Sequence, residues 1–169
     1  LHVSGTTGIS VYPHDGVDGP TLLKNADNAM YRAKEQGRDT YAFYSEEMST
    51  RVRQRLNLEN KLRLAVDNEQ FEVYYQPLVD IVENRIQGVE ALLRWRNPSG
   101  EAVGPAEFVP LLEDTGFIIP VGEWVLRAAC AQVHNWNREG GRRLELSVNI
   151  STRQFTDSRF ADLVLDVLD

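Results

Sequence analysis

Apolar and polar positions alternate over residues 9–12, with Ile9 and Val11 on one side and Ser10 and Tyr12 on the other, which predicts a strand. The turn-forming run Pro13, His14, Asp15 and Gly16 closes it. From Pro20 the period changes. Leu22, Ala26, Ala29, Met30 and Ala33 recur every three or four positions, the spacing of a helix face, with Pro20 suited to its first turn and Gly37 to its end. Tyr41 and Phe43 alternate again and predict a short closing strand. Together these residues make a strand–helix–strand unit of about 45 residues, close to the size below which a domain needs outside support.

From Ser45 to Val66 the chain turns to Arg, Glu, Gln and Leu without Gly or Pro. Met48, Val52, Leu56, Leu62 and Val66 mark one stripe, and Glu47 with Arg51 and Glu59 with Arg63 stand four apart in the favourable order. This predicts a solvated helix joining two modules, and its mixed charges argue against a membrane-lying helix. After Asn68, Phe71, Val73 and Tyr75 predict a strand in which Pro77 should limit pairing. A turn at Glu83-Asn84 leads into a second strand, Ile86 to Trp95, followed by the turn Asn97-Pro98-Ser99-Gly100. Pro105 to Leu112 predicts a short helix. Val121, Trp124, Val125, Ala128, Ala129, Gln132, Val133 and Trp136 predict a longer one, stopped by Gly140-Gly141. Leu144 to Ile150 predicts a third strand, and Phe160, Leu163, Val164, Val167 and Leu168 a further helix. There is no internal repeat. Strands alternating with helices predict an α/β fold with mainly parallel strands.

The second strand carries the chemistry. Period-two alternation puts Val89, Ala91, Leu93 and Trp95 on one face and Glu90, Leu92 and Arg94 on the other. The third strand repeats this, with Leu144, Leu146, Val148 and Ile150 on one face and Glu145, Ser147 and Asn149 on the other. Polar residues projected inward near the C-terminal ends of barrel strands are placed as barrel active-site residues are. Glu90 and Asn149 carry hard oxygens suited to Mg²⁺ or Mn²⁺, and Arg94 suits a phosphate. Simpler roles compete: Glu90 and Arg94 as a structural ion pair, and Asn149 as a cap on the following turn.

Composition narrows the partners. The chain has 169 residues, of which 42% are hydrophobic, and a net charge of −7. It can therefore bury a core, and its acidic balance argues against nucleic-acid polymers and anionic membranes as general partners. The one cysteine, Cys130, excludes an internal disulfide and suits a reducing compartment; it reads as an inert buried thiol. No apolar run approaches the roughly 20 residues of a membrane helix. His2, His14 and His134 have no ligand spacing. The start at Leu1, without Met, suggests a cytoplasmic piece of something larger.

The run Val89-Glu90-Ala91-Leu92-Leu93-Arg94-Trp95 resembles the signature of EAL domains, phosphodiesterases that linearise the bacterial second messenger cyclic di-GMP. Three further landmarks fit in order: Tyr74-Tyr75-Gln76-Pro77; Phe108-Val109-Pro110-Leu111 with Thr115-Gly116; and Val148-Asn149-Ile150-Ser151. The first segment resembles the C-terminal end of a GGDEF diguanylate cyclase domain, through Gly8-Ile9-Ser10-Val11-Tyr12-Pro13, Ala26-Asp27 and the run Ala29 to Asp39. The resemblance implies a GGDEF remnant of the α+β cyclase fold at 1–45, a linker helix at 46–66, and the first, incomplete part of a TIM-type (β/α)₈ barrel at 67–169.

It also implies roles. Glu90 and Asn149 become metal ligands for Mg²⁺ or Mn²⁺ in a two-metal site, Arg94 a phosphate ligand, and Gln76 and Leu92 substrate-site residues. Lys34 and Arg38, read as one helical turn apart near a helix end, become nucleotide-phosphate contacts of the GGDEF remnant; their simpler role is a solvated helix terminus favoured by the helix dipole. The remaining acidic ligands and the general base, a Lys, are expected beyond Asp169, so no catalytic residue is assigned within the chain and no turnover is expected of it alone. The expected partners are cyclic di-GMP and, through the EAL part, a second copy as homodimer. Two other roles stay open: a catalytically dead receptor or regulator, and a parent acting mainly as a diguanylate cyclase.

Overall fold

The computed structural model describes residues 4–96, 102–140 and 143–168, without the side chain of Ala102. The predicted turn at 97–100, His2 and Gly141 lie outside the described residues. The chain divides into two compact units, Leu1–Asn60 and Lys61–Asp169.

In the first unit β1 (Thr7–Ile9) pairs in parallel with β2 (Tyr41–Phe43), and α1 (Gly19–Glu35) crosses between them. Asp18 caps α1 by accepting from the Thr21 backbone N–H at 2.9 Å, and Pro20 occupies its first turn. Gly8 lies so close under α1 that a Cβ there would stand 2.8 Å from Met30 Cα, so the helix packs on the strand only because that side chain is missing. Ala29, Ala33 and Ala42 form the small core, with Tyr44 and Met48 against it. The predicted first strand is displaced: β1 ends at Ile9, because the Asp15 carboxylate takes the Val11 N–H at 2.7 Å and the Ser10 hydroxyl donates to the Leu22 carbonyl at 2.8 Å.

Helix α2 (Glu46–Asp67) belongs to the first unit up to Asn60. The predicted surface pairs Glu47–Arg51 and Glu59–Arg63 are not among its ion pairs. Arg55 instead meets Glu35 at 3.2 Å and lies over the Tyr31 ring at 5.3 Å, while Asn28 donates to the Ser49 hydroxyl at 3.0 Å. Exposed ion pairs contribute little, so the helix does not need the predicted ones.

In the second unit α2 ends by burying Leu62 and Ala65. Strand β3 (Phe71–Asp80) pairs antiparallel with β4 (Arg85–Arg96). The other edge of β4 carries β5 (Ala102–Val103), antiparallel, and β6 (Glu145–Val148), parallel. The expectation of mainly parallel strands is therefore corrected for this unit: among its described residues only the β4–β6 pairing is parallel. The reason is loop length. Ile81 to Asn84 can join only antiparallel neighbours, whereas the path from β4 to β6 passes through helices and permits the parallel crossover. Pro77 stays in the ladder opposite Val89, tolerated because β3 is an outer strand among the described residues; the register shifts just beyond it, at Leu78/Val79.

Helices α3 (Pro105–Thr115) and α4 (Ile118–Gly140) cover one face of this sheet. Val89, Ala91 and Trp95 from β4, Phe108, Leu111 and Leu112 from α3, and Val121, Val125, Ala129 and Val133 from α4 make the core. Gly116 ends α3 in the left-handed region at φ 83°. Asn137 closes the return to β6, accepting from the Leu144 N–H at 2.6 Å and donating to the Leu144 carbonyl at 3.1 Å. Beyond β6 lie a one-turn helix α5 (Thr152–Phe155), which the sequence reading omits, and α6 (Phe160–Leu168). Among the described residues no helix is long and apolar enough to cross a membrane.

Candidate functional site

The alternation that buries Val89, Ala91 and Trp95 under the helices turns Glu90, Leu92 and Arg94 to the opposite face. The antiparallel ladder sets Gln76 directly across from Glu90, Tyr74 from Leu92 and Glu72 from Arg94, so these six side chains share that face. On the other edge of β4, Glu90 is in register with Ser147, and Asn149 follows two residues later. Its Nδ2 donates to Glu90 Oε1 at 2.7 Å. Gln76, Glu90, Leu92, Arg94 and Asn149 thus fall on one side of one sheet, toward the C-terminal ends of its parallel strands.

Glu90 and Arg94 do not form an ion pair. The Arg94 guanidinium donates to the Leu93 carbonyl at 3.1 Å and lies over the Tyr74 ring at 5.8 Å. A cavity of about 310 Å³ opens beside it, its lining including Leu92, Arg94, Asn149, Ser151 and Gln154.

Asn149 does not cap the next helix. Ser151 does, accepting from the Gln154 N–H at 3.1 Å, while Gln154 Oε1 accepts from the Ser151 N–H at 3.2 Å. Gln154 is the buried polar side chain among the described residues, at 6% exposure, and it packs against Gly122 of α4, where an added Cβ would meet its Cδ at 2.6 Å. Arg153 reaches the other way and donates to the carbonyls of Glu113 and Asp114 at the end of α3. The segment carrying Asn149 is thus fixed to both helices under the sheet. Sequence reading missed Gln154, Gly122 and Arg153. The Ser-x-x-Gln spacing was the available signal for the cap, but the contacts with α3 and α4 leave no local trace.

The donor set fits a hard divalent cation. Glu90 offers a carboxylate, and Asn149, with Nδ2 on Glu90, keeps Oδ1 as its acceptor atom. Among the described residues no group of three or more His, Cys, Asp or Glu could hold a metal. Mg²⁺ usually retains several waters and is held by one or two protein oxygens together with substrate phosphates, so a two-donor site beside an Arg matches that habit.

Elsewhere, Lys34 lies in α1, but Arg38 lies beyond its end, in the left-handed region at φ 61°. The reading of them as one turn apart on a helix is corrected: Gln36 caps α1, and Gly37 at φ 118° turns the chain away. Both are exposed. Burial pushes the Cys130 thiol above its usual pKa, as it does the Tyr75 phenol beside it.

Comparison with known proteins gives a consistent result. Residues 59–169 match the family model of the EAL domain, and residues 1–40 that of the diguanylate cyclase GGDEF domain. The bifunctional diguanylate cyclase/cyclic di-GMP phosphodiesterase MucR of Pseudomonas aeruginosa is 40% identical over 168 residues, 99% of this chain and 24% of that protein. The cyclic di-GMP phosphodiesterase PdeR of Escherichia coli is 36% identical over 168 residues, again 99% of this chain and 25% of that protein. The chain therefore spans about a quarter of the length of these curated relatives. Among solved structures, the PaMucR phosphodiesterase in its c-di-GMP complex superposes with a TM-score of 0.63 at 39% identity, covering 66% of this chain and 45% of that one.

Proposed function

This chain belongs to the EAL domain family, and from that premise we propose that its second unit is the cation- and phosphate-binding part of a phosphodiesterase that opens cyclic di-GMP to a linear dinucleotide. One observation carries the reading: Gln76, Glu90, Leu92 and Arg94 share a sheet face, and Asn149 joins it at 2.7 Å from Glu90.

In this reading Glu90 and Asn149 hold Mg²⁺ or Mn²⁺, which when bound supplies Lewis-acid stabilisation of phosphoryl charge and lowers the pKa of a coordinated water. Arg94 donates its N–H edge to a phosphodiester oxygen, as guanidinium geometry favours. Leu92 gives the ligand an apolar contact and Gln76 an amide one. The polypeptide is assigned as 1–45 GGDEF part, 46–66 linker helix and 67–169 EAL part. Lys34 and Arg38 contact nucleotide phosphate in the first, the EAL part is the homodimer contact, and the compartment is the cytoplasm. Of the carboxylates on the site face Glu90 is committed to the cation and Glu72 to Arg96, and no general base is assigned among the described residues, so the 169-residue chain is expected to bind without turnover.

The test is a pair of titrations on the 169-residue chain, Mn²⁺ followed by electron paramagnetic resonance and cyclic di-GMP by calorimetry. Glu90→Gln should weaken Mn²⁺ binding at least tenfold. Arg94→Ala should weaken the dinucleotide and spare the cation. Mn²⁺ binding that is indifferent to Glu90→Gln, or dinucleotide binding indifferent to Arg94→Ala, would overturn the corresponding assignment.

A further inference from the structure

Glu72 lies directly across from Arg94 in the β3–β4 ladder, the position from which a carboxylate most readily pairs a cation on the neighbouring strand. It does not pair with Arg94. Its Oε1 meets Arg96 Nε at 2.9 Å and its Oε2 accepts from Arg96 Nη2 at 3.2 Å, a two-pronged carboxylate–guanidinium contact. Arg96 follows Arg94 by two residues on the same strand, so both guanidinium groups project from the same face within reach of one carboxylate. The Tyr74 side chain and the Glu72 carboxylate hold the Arg96 guanidinium above the ordinary arginine pKa.

Arg94 is left in a different condition. Its contacts are the Leu93 carbonyl and the face of Tyr74, and among the described residues no carboxylate pairs with it. An aromatic face holds a guanidinium without occupying its N–H edges. Carboxylate and phosphate oxygens compete for those same edges, because both accept from the guanidinium fork. Whichever arginine takes Glu72 is therefore the one lost to an anionic ligand.

We propose that Arg96 is a positioning residue: by holding Glu72 it keeps that carboxylate off Arg94 and leaves the Arg94 N–H edge open to a phosphodiester oxygen. This rests on the phosphate role given to Arg94 above. Tyr74 completes the arrangement, backing the open Arg94 guanidinium with its ring.

The experiment reads Arg94 directly. The 169-residue chain is labelled with phenylglyoxal, and the rate at each arginine is followed by peptide mass spectrometry. Arg96→Gln should release Glu72 onto Arg94 and slow Arg94 labelling about fivefold, the scale of one partly exposed ion pair. Adding Glu72→Gln should restore the rate, and Glu72→Gln alone should leave it as in the parent chain. A purely structural role for Arg96 would not be rescued by removing its partner. Labelling of Arg94 that is unchanged by Arg96→Gln, or still slow in the double variant, overturns the proposal. Cyclic di-GMP is then added to the parent chain. Protection of Arg94 supports its phosphate role, and no protection removes that role, whereas the Arg96→Gln comparison needs no ligand and judges the placement of Glu72 separately. Where protection occurs, dinucleotide affinity should fall in Arg96→Gln and recover in the double variant.

Discussion

Asn149 donates to Glu90 across 2.7 Å although 59 residues separate them in the chain. The contact exists because β6 pairs in parallel with β4 at Glu90–Ser147, and Asn149 lies just past the end of that pairing. Two strands far apart in sequence thereby place an amide and a carboxylate side by side. Both residues are accessible, so the hydrogen bond itself contributes little to folding.

Glu90→Gln and Asn149→Ala should therefore separate stability from binding. Each is expected to change unfolding free energy by less than about 1 kcal/mol, as for other accessible polar contacts. Each should lower Mn²⁺ affinity much further. Urea midpoints measured beside Mn²⁺ titrations check this; a large loss of stability in either variant would mark the pair as a structural strut.

Trp95 gives a contrasting case inside the core. Its indole N–H is buried without a partner among the described residues, and its ring packs against those of Phe71 and Phe108. An unmade hydrogen bond already costs the folded state its desolvation. Trp95→Phe removes that cost along with some volume, and should shift stability by less than about 1.5 kcal/mol. Phe108→Ala, at a fully buried position, should lower it by about 3–5 kcal/mol. Denaturant unfolding of the two variants decides; a loss in Trp95→Phe as large as in Phe108→Ala would mean that the N–H has an acceptor.

These two sites show what could be read from the chain and what could not. The face assignment of Glu90, Leu92 and Arg94 was legible, because burial of Val89, Ala91 and Trp95 under helices imposes period two on the sequence. The antiparallel β3–β4 ladder is implicit in the turn at Glu83-Asn84, which is too short for a parallel crossover. The early end of β1 was hidden, since Asp15 captures the Val11 N–H through a side chain and no hydrophobic pattern records that. The choice of Glu72 for Arg96 over Arg94, and the Gln154–Gly122 contact, depend on tertiary placement with no local signature.

Asp80 governs the tip of the β3–β4 hairpin. Its carboxylate accepts from the Glu83 and Val82 N–H groups at 3.1 and 2.9 Å, and these bonds hold its pKa below the ordinary aspartate value. A folded-state pKa below the unfolded one means that the stabilisation is present above the unfolded value and is lost as the pH falls through the folded one. Amide exchange at Val82 and Glu83 should therefore remain protected at neutral pH and lose protection, relative to neighbouring amides, below about pH 4. Asp80→Asn should reduce that pH dependence; an unchanged acid profile would assign it to another group.

Gly122 links the core to the site. A side chain at this position of α4 would run into the Gln154 amide, and Gln154 is fixed by the capping box to Ser151, two residues after Asn149. Gly122→Ala gains about 1 kcal/mol of helix propensity but overpacks a closed contact, which typically costs about 1–3 kcal/mol. A net loss of stability is expected, accompanied by weaker Mn²⁺ binding as the Asn149 segment moves. Combining it with Gln154→Ala opens the space, so the double variant should be more stable than the two single losses predict. Thermal unfolding of the four proteins in this cycle measures the coupling. If the two changes simply add, Gly122 and Gln154 do not form one packing unit, and the route from α4 to Asn149 fails with them.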